Sequence, residues 1–310
     1  MLKRKFYFIL LVAAACMHTL SGRAQQDPMF SQYMFNILSI NPAYAGSADR
    51  LSMVGIHRSQ WVNFEGAPIT QTVTVHSPLR KENLSIGGSV INDQHGPVKQ
   101  TSVFADISYR IFFEKSKLAF GLKTGLNLFS ANLLELNPFL ENDQAFAANI
   151  STRPLPNFGF GAMWYSKRWY IGLSTPRLLE NKLLEGNLPN FTNNQERIHG
   201  FLIAGYVWDI NHYVKFKPTI LLKAVNGAPP GMDLTANFML YDRFWIGAMY
   251  RWQDAVGALI QYEINNKLKF GYAYDYVTSD IGRYTSGSHE LMIGYDFGKG
   301  NKGDVSPRFF

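Results

Sequence analysis

With 310 residues, of which 46% are apolar, 15% aromatic and 17% charged, the chain can bury a substantial core, and extended disorder is excluded. Beyond the first twenty positions there is no apolar run of about 18 residues, and the mean hydropathy of −0.11 excludes a helical multi-span membrane protein. A membrane β-barrel stays open, because its short alternating strands average to near neutrality. The formal charge of +7 falls by four to +3 without Lys3, Arg4, Lys5 and Arg23, too mild a balance to point to nucleic acid.

In chain order, Lys3, Arg4 and Lys5 precede an apolar run over 6–15 and the small residues Gly22 and Ala24, the pattern of a secretory signal peptide spanning 1–24. Cleavage is expected after Ala24. Cys16 follows Ala13, Ala14 and Ala15, but the aliphatic residue that a lipoprotein signal places upstream is missing, which argues against lipidation. Without Cys16 the mature chain has no disulfide and no thiolate metal site. Residues 25–49 then form an N-terminal periplasmic or plug segment. Phe30, Tyr33, Met34, Ile37 and Leu38 have the spacing of one short amphipathic helix, which Asn41-Pro42 would end. Two readings stand side by side: a plug of the periplasmic mouth, or a docking element for a periplasmic partner. The residues that would do either are Asp27, Pro28, Phe30, Gln32, Tyr33, Asn41, Pro42 and Tyr44.

From position 50 to 298 the chain breaks into about fourteen segments with period-two alternation. In 117–129, Leu118, Phe120, Leu122, Leu126 and Leu128 oppose Lys117, Ala119, Gly121, Lys123, Gly125 and Asn127. The segments 267–276 and 288–297 repeat the pattern, and the others lie at 51–62, 70–77, 84–92, 98–113, 157–165, 169–175, 197–208, 213–224, 232–240, 244–253 and 255–264. A soluble sandwich would alternate too. The links separate the two, because tight links at 78–83, 114–116, 166–168, 209–212, 241–243 and 265–266 alternate with others that are mostly longer. Short periplasmic turns alternating with extracellular loops, both termini in the periplasm, describe an antiparallel outer-membrane β-barrel. Trp164, Tyr165, Trp169, Tyr170, Tyr241, Phe244, Trp245, Tyr250 and Trp252 fall near strand ends, where interfacial rings belong, although each ring could equally pack in a core. Residues 299–310 would form a periplasmic tail.

Little in the chain suggests catalysis. The histidines outside the leader, His57, His76, His95, His199, His212 and His289, show no zinc spacing, and Gly87-Gly88 and Gly159-Gly161 are followed by no lysine and helix, so no metal, cofactor or nucleotide is expected. His57 and Ser59 share a face, without the third group a nucleophilic serine needs. Arg58 would share its face with Gln60, lumenal, while Trp61 faces lipid. Arg58 is then either a solvated lumenal charge or an anchor that holds a plug through a buried carboxylate. Asp106, Arg110, Lys123, Lys215, Lys217, Lys223, Arg251, Glu263 and Asp275 suit the same polar interior, open or plugged.

Several motifs carry a resemblance across the whole mature chain: Asp27-Pro28-Met29-Phe30-Ser31-Gln32-Tyr33-Met34-Phe35-Asn36, Asn41-Pro42-Ala43-Tyr44-Ala45-Gly46, Arg58-Ser59-Gln60-Trp61, Gly66-Ala67-Pro68-Ile69-Thr70, Gly271-Tyr272-Ala273-Tyr274-Asp275-Tyr276 and Ser288-His289-Glu290. In these the chain resembles the PorP/SprF family of type IX secretion system membrane proteins. The resemblance implies a non-enzymatic outer-membrane component that supports export or surface attachment of proteins with C-terminal secretion domains, gliding adhesins among them. Implied partners are outer-membrane lipid, periplasmic ring proteins like PorK and PorN, and a PorE-like peptidoglycan-binding protein. The alternative is a passive outer-membrane channel or hydrophobic-solute transporter.

Overall fold

The computed structural model describes residues 28–135, 149–151, 153–182, 195–226, 228–265 and 267–298. The expected leader 1–24, Asp27, the tail 299–310 and the middles of the loops expected over 130–156 and 176–196 lie outside the described residues. Period-two alternation leaves one solution for a chain with a greasy face and a wet face: pair every strand and curl the sheet shut, so that no edge is left in lipid. Fourteen strands do this: β1 (Ser52–Ser59), β2 (Ile69–Pro78), β3 (Leu84–His95), β4 (Val98–Phe112), β5 (Ser116–Ala131), β6 (Leu155–Ser166), β7 (Trp169–Thr175), β8 (His199–Tyr206), β9 (Val214–Val225), β10 (Gly231–Leu240), β11 (Phe244–Arg251), β12 (Ala255–Glu263), β13 (Leu268–Val277) and β14 (Ser288–Asp296). Two-residue pieces at Ile150–Ser151 and Trp208–Asp209 extend the pairing of β5 and β9. Each strand pairs antiparallel with its chain neighbours, and β14 closes on β1 from Ser52↔Asp296 to Ser59↔His289. Six connections, beginning with the one between β2 and β3, gather at the end that holds Ser52 and Asp296. The other seven gather at the opposite end, the loop end.

The alternation resolves as expected. In β5 Leu122 is 59% exposed on the outer wall, and its neighbour Lys123 is 2% exposed and points inward. Strand β1 stops at Ser59, short of position 62, because Trp61 and Asn63 take φ of +52° and +71°, which a strand cannot contain. Trp61 therefore lines the interior cavity at the loop end, not lipid. Of the rings expected at the membrane interfaces, Trp164, Tyr241 and Tyr250 are exposed, whereas Tyr165, Tyr170 and Trp245 point inward and are buried. Strand parity explains the split: adjacent aromatics such as Trp164 and Tyr165 must face opposite sides.

The interior is packed. Residues 28–50 run through the lumen, and Tyr33, Met34, Ile37, Leu38, Ala43 and Tyr44 meet Met163, Tyr165, Tyr170, Phe201, Ile203, Leu221 and Leu259 from the wall. Fully burying each large apolar side chain contributes about 1.5–3 kcal/mol, so the segment is bound as firmly as a soluble core. The single amphipathic helix expected here is replaced by three short 3-10 turns, Tyr33–Phe35, Ile37–Ser39 and Pro42–Tyr44. Wall side chains take carbonyls that an α-helix would satisfy internally. Ser174 Oγ donates to Ile40 O at 2.8 Å, Lys123 Nζ to Leu38 O at 3.4 Å and Ser108 Oγ to Ala43 O at 3.3 Å. Asn41-Pro42 does not end a helix but opens the third turn, with Asn41 Oδ1 accepting from Ala43 N–H at 2.9 Å.

Candidate functional site

Three sets of contacts hold the segment at three heights in the barrel. At the loop end, the Glu290 carboxylate from β14 accepts the Ser31 and Gln32 backbone N–H groups at 2.8 and 2.9 Å. Arg58 from β1 pairs with Glu290 at 3.2 Å and with Asp275 of β13 at 2.8 Å, and it donates to Ser31 Oγ at 2.7 Å. Ser31 Oγ in turn donates to Asp275 at 2.5 Å. Arg58 thus meets buried carboxylates through both terminal nitrogens, and the solvated lumenal charge is not what the structure contains. Its position follows from strand parity, since Ser52, Ile56 and Arg58 of β1 all point inward.

At mid-height the backbone of the segment touches the wall itself. Asn41 Nδ2 donates to Ala162 O of β6 at 3.2 Å. A Cβ at Gly121 of β5 would land on the Pro42–Ala43 backbone, and one at Gly161 of β6 on the Asn41 side chain. Glycine is required at both places so that this turn can lie flat on the wall.

At the opposite end, Asp49 bridges Arg110 of β4 at 2.6 Å and Lys117 of β5 at 3.0 Å. Arg50 pairs with Asp296 at 2.5 Å, and Lys269 joins the same carboxylate at 3.3 Å. Gly46 N–H donates to His76 Nδ1 at 3.1 Å, and the Tyr44 ring meets the His76 ring edge-on at 5.4 Å. Burial of such charges is tolerated because each is paired and hydrogen-bonded.

The sequence-selected residues therefore converge inside the barrel. Phe30 packs with Ile56 and Met292, Gln32 lies on Glu290, and Tyr33 shares a 3.0 Å hydrogen bond with Thr219 of β9. Asn41, Pro42 and Tyr44 fill the middle and lower lumen, Pro28 borders the cavity at the loop end, and Tyr44 borders a small pocket near the opposite end. Sequence reasoning missed the acids Glu290, Asp296 and Asp49, whereas Asp106, expected in the polar interior, is there and pairs with Lys123 at 2.9 Å. It also missed Glu196, which accepts from Asn127, from Asn157 at 3.1 Å and from Asn181 at 2.7 Å, tying the chain after β7 to β5 and β6. Inward parity on β4 and β14 is the signal that marks Asp106, Glu290 and Asp296; Glu196 and Asp49 lie off the strands and carry no such signal.

Above the filled section a cavity of about 680 Å³ opens among the loops. Pro28 and Met29 form its floor, and Trp61, Phe64, Phe129, Arg177, Arg197 and Trp252 are among its walls. The segment thus runs from the loop end at Pro28 to the opposite end at Arg50. Pro28, the first described residue, therefore lies at the end of the barrel opposite Ser52.

A family model described as type IX secretion system membrane protein PorP/SprF matches residues 22–295. The chain belongs to the PorP/SprF family. No curated protein matches it. Among solved structures it is similar to the Acinetobacter baumannii outer membrane protein Omp33, at 8% identity over 81% of this chain and 100% of that one, TM-score 0.49. It is also similar to the KdgM porin in complex with disordered oligogalacturonate, at 8% identity over 80% and 99%, TM-score 0.39. A mutant of the Rhodopseudomonas blastica porin gives 10% identity over 80% and 99%, TM-score 0.35. This PorP/SprF protein is an outer-membrane protein, with an apolar outer wall for lipid and a closed barrel that leaves no strand edge unpaired.

Proposed function

We propose that this protein is a non-conducting, non-enzymatic scaffold of the type IX secretion system, supporting export or surface attachment of proteins with C-terminal secretion domains, gliding adhesins among them. The observation that carries the reading is the filled lumen: residues 28–50 occupy the barrel from the loop end to the opposite end and are bolted there by buried ion pairs. A barrel of this kind has its outer wall, loops and turn end available for work, which suits assembly with other components better than passage of solute. In this reading residues 28–50 are the plug, Arg58 is its anchor, and the short turns face periplasmic ring proteins like PorK and PorN and a PorE-like peptidoglycan-binding protein. The passive channel or hydrophobic-solute transporter is disfavoured by the same filling. The hydrolase reading is disfavoured because His57 and Ser59, 3.2 Å apart, sit on the outer wall, where the second His57 nitrogen faces the Gln71 amide at 3.4 Å and no carboxylate.

Two measurements on the intact protein test this. Affinity capture from detergent-solubilised envelopes is expected to recover ring lipoproteins or exported proteins with C-terminal secretion domains, and deleting the gene is expected to strand such exported proteins in the periplasm. In planar bilayers the purified protein is expected to give no stable conductance. Steady porin-like steps together with normal export in the deletion strain would remove the proposal.

A further inference from the structure

An outer-membrane barrel turns its short links to the periplasm, so the cavity of about 680 Å³ at the loop end opens towards the cell's surroundings. Pockets of about 300–1,000 Å³ are the usual size for holding small ligands. The walls carry four carboxylates and four cationic side chains, and these are already engaged. Arg251 meets Asp233 at 3.2 Å and Asp254 at 3.6 Å, Arg197 meets Glu180 at 3.9 Å, and Asp93 accepts from Thr70 Oγ1 at 2.5 Å. A charged ligand would find its charge opposed as much as matched. The uncharged polar groups stand differently. The side-chain amides of Gln60, Gln100 and Gln253 border the cavity and have no hydrogen-bond partner among the described residues, so each keeps two donors and an acceptor to offer. Beside them lie the half-buried Trp61 and the exposed Phe64. The backbone here is also held in a costly state, since Trp61 and Gln253 take φ of +52° and +60° without being glycine. Such strain persists only where the surroundings enforce it, and it gathers at binding sites. At Trp61 the enforcing bonds run from its own N–H to Ser288 Oγ at 3.2 Å and from Val62 N–H to Gly287 O at 2.8 Å.

We propose that this cavity is a binding site for a neutral oligosaccharide, seated between residues 60–68 after β1 and residues 252–254 after β11. A sugar ring carries C–H groups on its faces and hydroxyls around its rim. The faces suit the Trp61 and Phe64 rings, and the rim suits amides that can both donate and accept. Matched charge on the walls selects against an anionic or cationic ligand. An extended peptide is the less fitting occupant, because peptides of that form add to a free strand edge, and the closed pairing of β14 with β1 leaves none. The floor of Pro28 and Met29, resting on the buried Phe30 and Met34, makes the site a blind cup from which a bound sugar returns to the outside. The inference goes beyond the scaffold role, since it gives the outer mouth a ligand of its own.

The test is calorimetric titration of the purified full-length protein, held in a detergent without a sugar headgroup. The probes are cellohexaose, maltohexaose and mannohexaose, with hexagalacturonate as the charged counterpart and a blocked hexaserine peptide as the peptide control. At least one neutral hexaose is expected to bind with a dissociation constant below about 1 mM, and more tightly than hexagalacturonate or the peptide. Trp61→Gly removes the ring and Gln253→Gly the amide, and both keep a left-handed backbone that glycine adopts freely, so the barrel should fold in each. The heat-dependent gel shift checks this, and Gln253→Gly, on an exposed turn, carries the test alone where Trp61→Gly fails it. Truncating a central ring in a binding site is expected to weaken the neutral hexaose by at least about tenfold, and loss of the amide to weaken it measurably. No heat from any neutral hexaose up to about 10 mM, tighter binding of hexagalacturonate or the peptide, or unchanged affinity in the folded variants would overturn the proposal. Export is not read by this titration, so the scaffold role stands or falls separately.

Discussion

Arg58 illustrates what a single side chain does here. Its guanidinium serves two acids from different strands, Asp275 and Glu290, and the plug's Ser31, so one residue couples β1, β13, β14 and the lumen segment. Breaking a buried pair by removing one partner costs about 3–5 kcal/mol, because the other charge stays buried and unpaired. Arg58→Ala is therefore expected to lower the temperature at which the detergent-solubilised barrel loses its compact gel mobility. Combining it with Glu290→Gln should cost less than the two changes summed, with a coupling of about 1–3 kcal/mol. Additive losses would show that the pair does not act as a unit. Gly121 gives the converse test. There a side chain must displace the Pro42–Ala43 backbone, so Gly121→Val is expected to destabilise by at least about 1–3 kcal/mol. On Gly294 of β14, which also faces the lumen but where a Cβ meets only ordinary contacts, the same change should be mild. Equal losses at both positions would mean that the plug does not lie where the structure puts it.

At the scale of the element, each strand sorts its side chains by parity alone, and Leu122 and Lys123 of β5 show the two solvents it separates. Leu122 lies near the middle of its strand on the lipid face, where a cation costs about 2–4 kcal/mol. Leu122→Arg is expected to lower the unfolding midpoint in lipid vesicles, and to do so less in detergent, where the charge finds water. A loss of the same size in both would argue against a lipid-facing position. The period of alternation was legible in the sequence, and with it the existence and order of all fourteen strands. The strand ends were less legible. The strand expected over 84–92 stops short of the polar residues 93–95, yet β3 extends through them to His95, because a wet loop end favours polar strand residues and Gly96 with φ of +53° completes the hairpin. The plug was legible as an apolar pattern and misread as one helix, since sequence spacing alone does not reveal that wall hydroxyls and Lys123 stand ready to take its carbonyls.

At the scale of the molecule, the barrel behaves as two nested structures with one set of fasteners. The wall is held by strand pairing, and the lumen segment by ion pairs near both ends with a close backbone contact between them. Because the last strand provides both Glu290 and Asp296, the plug cannot be fully fastened until the chain is complete. This arrangement favours a closed body with a filled lumen, which is what the proposed scaffold role asks for.

The sequence by itself determined the strand count, because alternation is a local property that survives any choice of neighbours, and the parity of short and long links pointed to a closed sheet. The motifs at 27–46 and 271–276 likewise carried the family without coordinates. Only the tertiary structure decided that Arg58 meets Asp275, Glu290 and Ser31, that Trp61 faces the cavity and that the lumen segment points towards the loops. Each of these depends on which residues from distant strands meet across the lumen, and the chain separations involved, such as the 232 positions between Arg58 and Glu290, leave no periodic trace. Parity tells a side chain which way to face; closure tells it whom it will find there.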